Sequence, residues 1–168
     1  LGVEECEKAL REAVELLRQA NPAVKVILTV SPIRYAKYGY PESARSKAVL
    51  LLAAHGVVDS FPDMAAYFPA YEIMNDELRD YRFYRPDMLH PSEQAVDYIH
   101  ERFSDAYFSE RATTYAKEWR HLRAALRHRP FNPGSDAYQT FKRQTQEQVN
   151  AFAQRYPTFP DNPMEEAV

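Results

Sequence analysis

The clearest strand pattern in the chain is Val24-Lys25-Val26-Ile27-Leu28-Thr29-Val30, which Ser31-Pro32 ends at once. Its residues are nearly all apolar and mostly β-branched, which is typical of a strand buried on both faces of a parallel sheet. Parallel strands are connected through helices that cover the faces of the sheet. We therefore predict an α/β domain built around this strand.

Helical patterns flank the strand on both sides. Glu4–Ala20 carries apolar residues at three- and four-residue spacing and ends at Asn21-Pro22, which predicts one helix. Pro41–His55 has a wide apolar face, and Gly56 occupies the expected position of its C-cap. The order helix, strand, helix agrees with a layered α/β arrangement.

A second strand is predicted at Tyr67–Ile73, although Pro69 within it suggests a sheet edge or a bulge. Asn75 or Asp76 would then cap a helical turn at Glu77–Tyr81. Two parallel strands do not bury themselves. More sheet must come from upstream residues, from a partner chain or from an unrecognised strand. The open edge of the incomplete sheet is a candidate surface for a homodimer.

The loop Ile33–Tyr40 follows the first strand and is dense in polar and aromatic side chains. Loops at the carboxyl ends of parallel strands are where open α/β sheets bind ligands. A solvated loop whose tyrosines lie on their neighbours explains the composition equally well. Both interpretations stay open from the residues alone.

Asp87-Met88-Leu89-His90-Pro91-Ser92 is the stretch with the clearest chemistry. A carboxylate three residues before an imidazole can accept a hydrogen bond from one ring nitrogen and leave the other free as a general base. Pro91 and Ser92 are residues that begin a helix. The alternative is that Asp87 is a surface residue that caps the start of the helix and that His90 has no function.

The second half is predicted to be helical. Ser92–His128 has no strong breaker and is expected to bend near Phe108-Ser109, and a final amphipathic helix runs over Ser135–Arg155. The Pro-rich end, Tyr156–Val168, is expected to be extended or disordered. We divide the chain into residues 1–108, an α/β domain, and 109–168, a helical extension.

Composition excludes several classes of function. The 168 residues carry a net charge of −3, which argues against a main role in binding nucleic acid; we rank an arginine-mediated contact through residues 111–129 last. No apolar run approaches the length of a membrane span, and no signal peptide is visible. The single cysteine, Cys6, agrees with a reducing compartment, and we predict a cytoplasmic location. The histidines lack the spacing of a metal site, and we predict neither metal nor cofactor.

Several ordered blocks resemble the later part of the GSCFA domain, a bacterial family similar to the SGNH, or GDSL-like, hydrolases. The resemblance covers about residues 1–108. The blocks are Ile27–Arg34, Ser46-Lys47-Ala48, Tyr67–Ile73, Asp76–Tyr84 and Asp87–Ser92.

This resemblance implies a three-layer α/β/α fold of which the chain carries the last strands. It also implies a serine esterase or acyl hydrolase acting on a small-molecule, carbohydrate or lipid ester. In SGNH hydrolases the closing Asp-x-x-His block supplies the catalytic acid and histidine, which correspond to Asp87 and His90. Ser31, Arg34 and Tyr35, beside the first strand, are the candidates for substrate binding.

Two departures limit what the resemblance implies. The Gly-Ser-Cys-Phe-Ala segment that names the family is absent, and Tyr35 stands where a histidine is expected. Ser31 lacks a Gly-x-Ser elbow, and Ser92 is predicted to cap a helix. We therefore expect this chain alone to be inactive, and a non-catalytic binding or assembly module is the alternative function.

Overall fold

The computed structural model describes residues 1–157, which are mostly helical and include a small two-stranded parallel sheet. This composition is compatible with the predicted α/β class. The chain divides into two compact units, Leu1–Ala106 and Tyr107–Val168. Of the predicted extended tail, Tyr156–Val168, the first residue is buried at 6% exposure, and the part beyond residue 157 lies outside the described residues.

The first unit begins with two helices packed on each other. Helix α1 spans Val3–Ala20, as predicted, and buries Val14. Helix α2 spans Tyr40–Ser60 and therefore continues past its predicted end at His55. The predicted C-cap at Gly56 is wrong because Val57 extends the apolar face and is fully buried. Gly56 lies instead inside α2, where the absence of a side chain leaves space for Glu7 of α1.

The sheet pairs strand β1, Val26–Leu28, with strand β2, Ala65–Tyr67, in parallel. The predicted second strand at Tyr67–Ile73 is wrong by several residues. Pro69 has no N–H to donate to a ladder, and the chain turns there into a short helix, α3, at Ala70–Glu72. A π-helical turn over Ile73–Glu77 continues it.

The prediction that β1 is buried on both faces is also wrong within the described residues. Successive side chains of a strand point to opposite faces. Val26 and Leu28 are half-buried, whereas Ile27, on the other face, is 38% exposed. One face of this short sheet is therefore more open than its apolar sequence predicts.

The core of the first unit lies around the segment that follows the sheet. Residues from α3 to Tyr84 pack against helix α4, Glu93–Tyr107. The predicted helical turn at Glu77–Tyr81 is wrong, because the chain forms a 3₁₀ turn at Tyr81–Phe83 instead. Asp80 caps this turn, and its side chain accepts the Arg82 N–H. The buried members of this core are Phe68, Ala70, Ile73, Met74, Leu78, Phe83, Tyr84 and Ala95.

The second unit contains two amphipathic helices. Helix α5 spans Glu110–Leu126 and begins at Ser109, whose hydroxyl accepts the Ala112 N–H, so the predicted break in the long helical stretch is confirmed. Helix α6 spans Asp136–Arg155, as predicted, and its cap is Ser135. Their buried core consists of Leu122, Val149, Phe152 and Tyr156.

Candidate functional site

The Asp87–His90 turn is held by its own carboxylate. Asp87 Oδ1 accepts hydrogen bonds from the backbone N–H of Leu89 at 2.9 Å and of His90 at 3.0 Å. Asp87 Oδ2 lies 2.6 Å from His90 Nδ1. Both carboxylate oxygens are therefore engaged, and the imidazole is held against one of them.

The backbone of the turn takes an unusual conformation at Met88, whose φ is +60°. This left-handed region is unfavourable for a residue with a side chain. The turn is closed below it by two hydrogen bonds of 2.8 Å, from Met88 N–H to the Arg85 carbonyl and from Arg85 N–H to the His90 carbonyl. This conformation turns the Leu89 and His90 amides toward the Asp87 carboxylate.

Packed residues on both sides of the turn hold it in place. Tyr84 and Pro91 form an antiparallel bridge, and Ser92 N–H donates to the Phe83 carbonyl at 2.7 Å. Phe83 and Tyr84 belong to the buried core. The Ser92 hydroxyl accepts the Ala95 N–H at 3.3 Å, so Ser92 caps α4 as predicted. The turn thus has a rigid base although its tip is open to solvent.

The electrostatics of the pair favour an ionised carboxylate. The backbone hydrogen bonds from His90 and Leu89, followed by the bond to the His90 side chain, lower the pKa of Asp87 from 3.8 to about 2. An ionised carboxylate only accepts hydrogen bonds, so His90 Nδ1 must be the donor. The lone pair of the neutral ring is then on Nε2. The His90 side chain is 50% exposed, which leaves this nitrogen accessible.

Arg34 is joined to this turn by its backbone. Its N–H donates a 3.0 Å hydrogen bond to the Leu89 carbonyl. Its guanidinium carbon lies 4.2 Å from the centre of the Tyr84 ring and 5.5 Å from that of Tyr81. The structure therefore brings together three of the residues predicted for the site, Arg34, Asp87 and His90.

Ser31 and Tyr35 lie on the same loop as Arg34 but make different contacts. The Ser31 carbonyl accepts a 2.6 Å hydrogen bond from Lys47 Nζ, and burial lowers the pKa of Lys47. Tyr35 N–H donates to the Ser43 hydroxyl at 3.0 Å. Within residues 1–157, neither Ser31 nor Tyr35 hydrogen-bonds to the Asp87–His90 pair.

The described residues provide no nucleophile beside His90. Across residues 1–157 the ring of His90 has one hydrogen-bond partner, Asp87. Ser92 is engaged as a helix cap, and the Ser31 hydroxyl lies 3.4 Å from the Ile33 N–H within its own loop. The same residues contain no group of three or more His, Cys, Asp or Glu side chains that could hold a metal ion.

Sequence reasoning missed the residues that support the pair from a distance. Tyr84 packs under the Arg34 guanidinium, the Leu89 carbonyl anchors the Arg34 loop, and Lys47 anchors the Ser31 carbonyl. Tyr84 and Lys47 stand in the blocks that carry the family resemblance, but no local pattern assigns them these contacts. Each contact joins segments that are distant along the chain.

Comparison with known proteins identifies the family. Residues 1–103 match the model of the GSCFA family, and residues 119–166 match that of the GSCFA domain protein, C-terminal domain. This chain belongs to the GSCFA family. The GSCFA match to residues 1–103 includes the Asp87–His90 turn and the Arg34 loop. No curated protein and no solved structure matches the chain significantly.

None of the helices within residues 1–157 combines the length and apolar character that a bilayer crossing requires.

Proposed function

We propose that Asp87 and His90 are the orienting aspartate and the general-base histidine of a serine-type ester hydrolase in an SGNH-like, three-layer α/β/α domain. The nucleophilic serine would come from outside residues 1–157. The observation that carries this proposal is the 2.6 Å contact between His90 Nδ1 and an Asp87 carboxylate that two backbone amides hold in place. This arrangement orients the imidazole and leaves Nε2 free for proton transfer.

The proposed reaction proceeds through an acylated serine. His90 Nε2 takes the proton of the serine hydroxyl while the serine oxygen attacks the ester carbonyl. The tetrahedral intermediate then collapses and expels the alcohol, which receives the proton from His90. Water, deprotonated by His90, attacks the acyl-serine and releases the acid, and the serine regains its proton. Asp87 orients His90 and stabilises its imidazolium form, without becoming protonated itself.

Both side chains of the pair are about half exposed among the described residues. This leaves room beside His90 for a serine from outside residues 1–157 and for the ester. The proposed substrate is a small-molecule, carbohydrate or lipid ester.

The test is hydrolysis of 4-nitrophenyl acetate by the full-length gene product and by its His90→Ala variant. General acid–base catalysis contributes about 10²- to 10⁴-fold. We expect kcat/KM to fall by at least about 10²-fold in His90→Ala. His121→Ala, which removes an exposed histidine from helix α5, is the matched control and should retain activity. Circular dichroism checks that each variant is folded.

A non-catalytic binding module is the second candidate. It is favoured by the fact that no serine within residues 1–157 contacts the His90 ring. In that case the folded wild type would hydrolyse no ester faster than His90→Ala does. Equal rates in the two proteins would therefore exclude the esterase and support the module.

A further inference from the structure

We infer that the pocket beneath the Arg34 loop is a subsite for an oxyanion, a phosphate or carboxylate group, carried by the substrate. The part that concerns the substrate depends on the proposed esterase function. The pocket has a volume of about 150 Å³, enough for one such group. It is lined by Arg34, Met74, Asn75, Leu78, Arg79, Asp80, Tyr81 and Tyr84.

Arg34 is held against two aromatic side chains. Its guanidinium carbon lies 4.2 Å from the centre of the Tyr84 ring and 5.5 Å from that of the Tyr81 ring. A cation–π contact of this kind uses none of the N–H donors of the guanidinium in a hydrogen bond. Within residues 1–157 these donors have no acceptor and no carboxylate partner. They are therefore available to an anionic ligand.

Arg79 is a second arginine in the lining of the pocket. Like Arg34, it forms no ion pair with any carboxylate within residues 1–157. The lining contains one acidic residue, Asp80, whose Oδ1 accepts the Arg82 N–H at 2.9 Å as the cap of the 3₁₀ turn. Two arginines against one aspartate give the lining residues a net positive charge. Guanidinium groups match phosphate and carboxylate oxygens through paired hydrogen bonds.

The pocket shares its backbone supports with the proposed catalytic turn. Arg34 N–H is bonded to the Leu89 carbonyl, and Leu89 precedes His90. Tyr84, the other wall, precedes Arg85, whose N–H is bonded to the His90 carbonyl. An oxyanion in the pocket would therefore be held by residues that are directly connected to the turn. A free anion and an anionic group of the ester would use the same contacts.

The first measurement is titration of the full-length protein with inorganic phosphate by calorimetry. We expect binding that Arg79→Gln weakens by about 10- to 100-fold, since a hydrogen-bonded charge is lost. Arg82→Gln is the matched control because it removes the same charge nearby from a residue that does not line the pocket. Asp80→Asn keeps an oxygen for the cap and removes the opposing charge, so it should tighten binding. No phosphate binding by the folded wild type, or equal losses in the two arginine variants, would overturn the pocket assignment.

The second measurement separates the substrate from a free anion. The ratio of kcat/KM for mono-4-nitrophenyl succinate to that for 4-nitrophenyl acetate reports selectivity for an anionic ester. We expect Arg79→Gln to lower this ratio by at least about 10-fold and Arg82→Gln to leave it unaltered. An unaltered ratio in Arg79→Gln, with phosphate binding still lost, would overturn the substrate assignment and leave a free-anion site.

Ester hydrolysis and phosphate binding are measured separately, so a failure of the esterase function can be told from a failure of the pocket assignment. If the folded wild type hydrolyses neither ester, the esterase function and the substrate role of the pocket are overturned together. Phosphate titration still tests the pocket in that case, because it needs no catalysis.

Discussion

The backbone N–H of Arg34 donates a 3.0 Å hydrogen bond to the carbonyl oxygen of Leu89. This bond joins the loop after the first strand to the turn that holds His90. Arg34 and His90 are distant along the chain, yet the carbonyl that accepts this hydrogen bond belongs to the peptide group between Leu89 and His90. The site is therefore a junction of two loops and not a property of the turn alone.

Asp87 should titrate near pH 2. Its pKa in the folded protein is below that in the unfolded chain, so it stabilises the folded state above about pH 4, and this contribution is lost as the pH falls through 2. Carboxyl ¹³C NMR against pH gives the midpoint directly. In His90→Ala the midpoint should rise yet stay below 3.8, because the two backbone hydrogen bonds are the largest causes of the shift and remain. A midpoint near 3.8 in the wild type would contradict the geometry of the turn.

Met88 should tolerate glycine better than a β-branched residue. Its φ of +60° costs a non-glycine residue about 1–2 kcal/mol, whereas glycine costs about 0.5–1 kcal/mol more in chain entropy. We expect Met88→Gly to raise the free energy of unfolding by about 0 to 1.5 kcal/mol. Met88→Ile should lower it by about 1 kcal/mol or more, because a β-branched side chain is disfavoured in this conformation.

Urea denaturation measures these values. Met88→Leu, unbranched at Cβ and in the same conformation, is the control and should lie within about 0.5 kcal/mol of wild type. If Met88→Ile were as stable as Met88→Leu, the left-handed conformation would be wrong.

A side chain at position 56 should be limited by contact with Glu7 and not by the backbone conformation of the residue. A Cβ at position 56 would lie 2.8 Å from the Glu7 carboxyl carbon, and Arg11 holds that carboxylate at 2.5 Å. Alanine is favoured over glycine inside a helix by about 0.8–1 kcal/mol. We expect Gly56→Ala to be nearly neutral in wild type, because the Glu7 side chain must move, and to stabilise by about 1 kcal/mol in a Glu7→Ala background.

A double-mutant cycle by thermal denaturation measures the coupling. Equal effects of Gly56→Ala in the two backgrounds would show that Glu7 does not contact this position.

Phe152 should be the main support of the helical second unit. It is 5% exposed, and its ring lies 5.2 Å from that of Tyr115 and 4.7 Å from that of Tyr156, centre to centre. Removal of a buried phenylalanine side chain costs about 3–5 kcal/mol. Phe152→Ala should therefore lower the helical circular dichroism signal and the unfolding temperature. Phe131→Ala, at a fully exposed phenylalanine, should change neither. Similar effects of the two substitutions would contradict this core.

Local sequence patterns correctly predicted those structural features that depend on residues close together along the chain. Helices α1 and α6 follow from apolar residues that recur along one helix face. The break at Ser109 and the cap by Ser92 follow from hydroxyls that accept the amide three residues on. The Asp87–His90 contact belongs to the same class, because both partners lie in one turn.

The errors came where a distant contact competes with a local preference. The apolar run at Tyr67–Ile73 satisfies a strand pattern, but Leu28 pairs with Tyr67 and the ladder ends before Pro69. The glycine at position 56 matches the sequence pattern of a helix C-cap, but it lies inside helix α2, and Glu7 of helix α1 occupies the space that it leaves.

Local patterns were enough to predict an α/β class, with which the structure is compatible, a helical second half and the pairing of Asp87 with His90. The bond from Arg34 to Leu89 and the contact of Tyr84 with the Arg34 guanidinium are visible only in the folded chain. Chain entropy explains this difference. A bond within one turn orders few residues, whereas a contact between distant segments forms only if the whole core that joins them is stable.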